Sequence, residues 1–225
     1  MVSNARATSP SIGARRLLAL VAVFTAVTLT AELAGAQDTV QPAATSEKSA
    51  TSNVLLFLGG GALGLAAHES GHLLFDAIFD AHPGIQGVDF HGIPFFAITH
   101  ANGLPPRQEF AIDSAGFWVQ EGTNEWILTK RPNLAHESAP FTKGVFAFNV
   151  LASVAYAGAA FARTGPVERD TRGMADALGW KEPYVGLLIL TPAVLDAVRY
   201  VRPGARWAVW GSRGAKIVSV ALVFK

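Results

Sequence analysis

Five consecutive residues, His68-Glu69-Ser70-Gly71-His72, carry side chains suited to metal chemistry. On a helix, positions i and i+4 lie on one face, so both imidazoles can reach the same ion. Glu69 stands beside the first donor. There it can hold a metal-bound water and act as its general base. The chain contains no cysteine, so any transition-metal site must be built from histidine and carboxylate. Two histidines leave such a set at least one donor short.

The remaining donors are few. An extended pattern with a third histidine six residues after His72 is excluded, because position 78 is isoleucine. Glu121 and Glu125 share a helix face with Asn124 and are candidates; the other reading of this trio is a polar face lining a helix bundle. His91 and His100 lie close in sequence to the pair and are alternative ligands. His82 and His136 read as loop residues. Asp196 is the one carboxylate inside an apolar segment that follows a proline, so it should face a polar or metal-lined interior. Its competing partner is Arg199, three residues on.

The elements that must position these residues are mostly apolar. Val54 to Ala67 is an uncharged stretch of apolar residues and glycine that runs through the histidine pair to Phe79, and it reads as helix. Glycines 59, 60, 61 and 64 weaken a helix in water, whereas in a membrane small residues let helices approach closely. Pro83-Gly84 ends the element. Residues 85–100 are rich in β-formers with glycine and proline between them, which predicts one or two short strands, with Pro94 favouring an edge. Asn102-Gly103 and Pro105-Pro106 mark a turn. Phe110–Leu128 is a moderately apolar helix with a polar middle, and Phe141–Ala162 is a strong membrane-helix candidate. Residues 163–183 read as a charged connecting loop. Tyr184–Val201 is again apolar, interrupted by Asp196 and Arg199. Residues 206–225 fit either a hairpin or a last helix.

Composition agrees with a membrane protein. Half of the 225 residues are hydrophobic and 16% are charged, well below the roughly 25% of an average soluble chain. The formal net charge of +1 speaks against a nucleic-acid partner. Arg15-Arg16, the run Leu17–Leu29 and Ala34-Gly35-Ala36 form the three-part pattern of a secretory signal peptide ending at residue 36. Residues 37–52 read as a disordered linker. The expected fold is therefore mainly α: a polytopic membrane helical bundle of about four helices after a signal peptide, with a small β insertion behind the histidine-bearing helix. The membrane-embedded domain should cover 53–225, exported into a bacterial-type cell envelope.

The chain resembles the site-2 protease family of intramembrane metalloproteases. The resemblance rests on His68-Glu69-Ser70-Gly71-His72 in an apolar helix and on the β-rich stretch behind it. Ser114-Ala115-Gly116 at the next helix is similar to the family's Ala-Gly-Pro turn, without the proline. Leu190-Thr191-Pro192-Ala193-Val194-Leu195-Asp196 is similar to the family's Asn-Pro…Leu-Asp-Gly segment, with Thr191 for the asparagine and Ala197 for the glycine. The resemblance spans roughly 54–202. It implies a Zn2+ ion held by His68, His72 and Asp196, with Glu69 catalytic, in an endopeptidase that cleaves membrane proteins or peptides within the lipid bilayer. The substrate would lie as an extended strand along the edge near Phe90–Ile98. Two other classes fit the residues: a metal-binding membrane scaffold without turnover, and a metal-free envelope structural protein.

Overall fold

The computed structural model describes residues 50–90 and 93–224. The expected signal peptide and all but the last three residues of the expected linker lie outside this range, as does His91. Among the described residues six α-helices and one hairpin follow one another: α1 (Ala50–Phe79), β1 (Gly84–Phe90), β2 (Ile93–Thr99), α2 (Pro106–Lys130), α3 (Pro140–Ala162), α4 (Asp170–Leu178), α5 (Glu182–Val201) and α6 (Arg206–Ala221). Short 3-10 turns occupy Leu134–His136 and Leu222–Phe224. The fold is mainly helical with a small two-stranded sheet. Three helices, α1, α3 and α5, are long and apolar enough to cross a membrane.

The two helices beyond the expected four come from the segments with the weakest apolar signal. The loop expected over 163–183 contains α4, whose short inner face is Thr171, Met174 and Ala175. Gly179, in the left-handed conformation at φ 64°, ends it. The tail forms α6 rather than a hairpin. Helix α5 continues past Pro192 instead of ending there; neighbouring helices tolerate the lost backbone hydrogen bond in such a bundle.

Helix α2 is the axis. It touches every other described helix and is buried over most of its length. Its buried face carries Asp113, Ser114, Gln120, Glu121, Thr123 and Asn124 beside Phe110, Phe117 and Trp118. Large apolar residues point the other way on the surrounding helices, among them Leu55, Leu58, Leu151, Val154, Leu187 and Val194. Polar groups inside and apolar groups outside is the polarity expected of a bundle solvated by lipid.

Glycine sets the spacing of α1 against α3. A Cβ on Gly60 would lie 2.0 Å from the Phe141 carbonyl oxygen, and one on Gly144 2.0 Å from that of Phe57. The two backbones therefore meet with no side chain between them, as small residues allow in membrane bundles. This fixes one flank of α1, whose inner face runs Gly60, Gly64, Ala67, His68, Gly71, His72, Phe75, Asp76. Both histidines are thus turned towards α2.

Candidate metal centre

His68 and His72 are buried, and their Nε2 atoms lie 3.2 Å apart. A third donor, the Asp170 carboxylate, comes from the first residue of α4. Its Oδ2 is 3.2 Å from His68 Nε2 and 3.5 Å from His72 Nε2. Among the described residues this is the one group of three histidine or carboxylate donors drawn so close together.

The size of that triangle is informative. A zinc ion bound at ~2.0–2.1 Å in tetrahedral geometry has donor–donor edges about 1.63 times the bond, or ~3.3 Å. The three observed edges lie within about 0.2 Å of that, the tolerance expected of a real site. The donor chemistry also suits a borderline transition metal: two neutral imidazoles and one carboxylate, with no thiolate. These residues could hold a metal ion.

Each donor is set by its surroundings. His72 Nδ1–H donates to the Ile112 carbonyl at 2.8 Å, which leaves the Nε2 lone pair free for a ligand. His68 is held by packing instead. Its Nδ1 has no hydrogen-bond partner among the described residues. Its ring meets Phe117 edge-on at 5.3 Å and stacks on Tyr156 at 5.9 Å. Gly116 completes the wall, because a Cβ there would lie 2.5–2.6 Å from three atoms of the His68 ring. Gly71 plays the same part between helices: its Cβ would lie 2.8 Å from the Ala115 carbonyl. The glycine before His72 and the Ala115-Gly116 pair are thus two halves of one close α1–α2 crossing.

Asp170 is pinned from both sides. Arg169 forms a fork-to-fork pair with Glu182, with both N···O distances 2.6 Å. Thr171 donates to the same carboxylate at 2.8 Å. Glu182, at the start of α5, therefore clamps the residues before and after Asp170. Gly173 lets α4 sit directly on α2, since a Cβ there would lie 2.0 Å from the Asp113 carboxylate. Burial pushes the Asp170 carboxyl up, but His72 and His68 more than offset this by charge and hydrogen bonding and hold it below the usual carboxylate range.

Glu69 is half-buried on the turn of α1 that carries His68, within electrostatic reach of His68, His72 and Asp170. The other residues singled out from the sequence lie elsewhere. Asp196 is buried, but its carboxylate meets Lys216 at 2.8 Å and Arg199 at 3.1 Å and accepts from Ser212. The structure contains the i,i+3 pairing with Arg199, and the carboxylate it places beside the histidines is that of Asp170. Glu125 is tied to Arg199, Arg213 and Lys216. Glu121 is buried with neither carboxylate oxygen hydrogen-bonded. His100 pairs with Glu109 at 3.2 Å.

Comparison with protein-family models, with curated proteins and with solved structures finds no match to this chain. The reading of the centre rests on its own geometry.

Proposed function

We propose that the protein is a zinc-dependent endopeptidase acting on membrane-associated chains. The observation that carries this reading is the donor triangle of His68, His72 and Asp170, with Glu69 beside it on a helix long and apolar enough to cross a membrane. His68, His72 and Asp170 would hold the ion. When bound, the ion supplies Lewis acidity that lowers the pKa of water and polarises a carbonyl. Glu69 then takes one proton as water oxygen bonds to the peptide carbonyl carbon, and returns it to the nitrogen as the C–N bond breaks. Glu182 positions Asp170 by holding Arg169 and Thr171 on either side of it. A substrate must present an extended carbonyl, because helical peptides hide theirs. Each strand of the β1–β2 hairpin has one edge without a partner among the described residues, where such a segment can add as a third strand.

Glu69→Gln tests this directly. The purified variant in lipid should keep its zinc and lose cleavage of a quenched-fluorescence membrane peptide by 10²–10⁴-fold, the usual worth of a general base. Cleavage that survives the substitution, or that is indifferent to metal chelation, defeats the reading. A metal-binding scaffold without turnover is the second reading. It is favoured by one observation: the third donor is Asp170, not a residue of the Leu190–Asp196 segment that carries the family resemblance. Bound zinc with no cleavage by the wild type would select it.

A further inference from the structure

Helix α6 has its polarity reversed. Its inner face is Ala208, Ser212, Lys216 and Ser219, all buried or nearly so. Its outer face is Trp207, Trp210, Gly214, Ile217 and Val218, and the two tryptophans and Ile217 are each about two-thirds exposed. A helix on a watery surface shows the opposite arrangement. The polar groups of the helix are satisfied within the protein: Lys216 and Ser212 bond Asp196, Arg213 bonds Glu125 at 2.8 Å, and Ser219 accepts from Trp118 Nε1 at 2.9 Å.

We propose that α6 is a membrane-spanning helix whose outer face lies against lipid acyl chains. Three further observations converge on lipid as the occupant. The adjoining α5 likewise exposes apolar residues, Leu187, Val194 and Val201, and is itself long and apolar enough to span. The length fits: sixteen helical residues and the 3-10 turn after them extend about 24 Å plus about 6 Å, close to the ~30 Å hydrocarbon thickness. The end that adjoins the α5–α6 link carries Arg202, Arg206, Trp207 and Trp210, the residue types that collect at a membrane interface. Arg213 and Lys216 lower the helix's apparent hydropathy, yet Lys216 is turned inward onto Asp196 and Glu125, and the partly exposed Arg213 has its charge met by Glu125. This inference is independent of the metal reading and survives if the centre proves inert.

The absence of cysteine makes the test direct. Single-cysteine variants Ile217→Cys and Gly204→Cys of the full chain are labelled with a nitroxide and reconstituted in lipid nanodiscs. Relaxation by oxygen, which concentrates in acyl chains, is compared with relaxation by a water-soluble nickel chelate. The oxygen-to-nickel ratio should be several-fold higher at 217 than at 204. Strong nickel relaxation at 217 would place the face in water and overturn the proposal. Weak relaxation by both agents, or spin–spin broadening, would show protein or a second copy on the face and overturn it equally. Val218→Cys provides a second position on the stripe if the first variant does not fold.

Discussion

Substituting Gly116 by alanine should damage the metal centre without touching a donor. The added Cβ would lie 2.5–2.6 Å from Cε1, Nδ1 and Nε2 of His68, whereas carbon contacts are comfortable at ~3.5–4.0 Å. The ring must retreat by about 1 Å. His68 Nε2 is one corner of the 3.2, 3.2 and 3.5 Å triangle. A shift of that size away from α2 takes its edges well outside the about 0.2 Å tolerance of a zinc site. Zinc affinity should fall at least tenfold, about 1.4 kcal/mol or more, as for a disturbed supporting residue. Competition against a chromophoric chelator reads this out. The helix itself gains about 1 kcal/mol of propensity from the change, so loss of affinity would not reflect a weakened α2. Gly158→Ala is the control, since nothing lies within 4 Å of a Cβ at that position. Unchanged zinc affinity in Gly116→Ala would refute the idea that packing, rather than hydrogen bonding, sets His68.

Two further outcomes follow from the same contacts. Glu182→Gln removes the charge that grips Arg169 and Thr171 on either side of Asp170, so zinc affinity should drop about tenfold or more while both histidines stay in place; an unaltered affinity would show that α4 holds Asp170 unaided. Gly144→Ala puts a Cβ 2.0 Å from the Phe57 carbonyl oxygen and should cost about 1–3 kcal/mol by forcing α1 and α3 apart. That lowers Tm by about 2–4 °C per kcal/mol, and a melting curve identical to wild type would contradict the close crossing.

How much of this could be read from the sequence depended on where each signal resides. The long helices α1, α3 and α5 were legible because their outward faces are continuously apolar. The hairpin was legible because glycine and proline bracket its β-formers. The histidine pair was legible because helical spacing alone makes its chemistry. Helix α4 was not: its inner face is three residues within a charged stretch. Helix α6 was undecidable because Arg213 and Lys216 obscure an apolar outer stripe. Asp170 was invisible for a related reason. It lies 98 positions from His72 among other carboxylates, and only the packing of Gly173 on Asp113, with the Glu182 clamp, brings it to the histidines. Asp196 carried the stronger local pattern, yet its neighbour Arg199 was in the same pattern and is one of the partners it has.

The central claim is that His68, His72 and Asp170 form one metal site. Metal content by elemental analysis of the purified wild type, Asp170→Asn and Asp196→Asn tests it most directly, since asparagine keeps the shape of each side chain and removes its charge. Stoichiometric zinc is expected in the wild type and in Asp196→Asn, and its loss in Asp170→Asn. Zinc retained by Asp170→Asn and lost from Asp196→Asn, or none in the wild type, would contradict it.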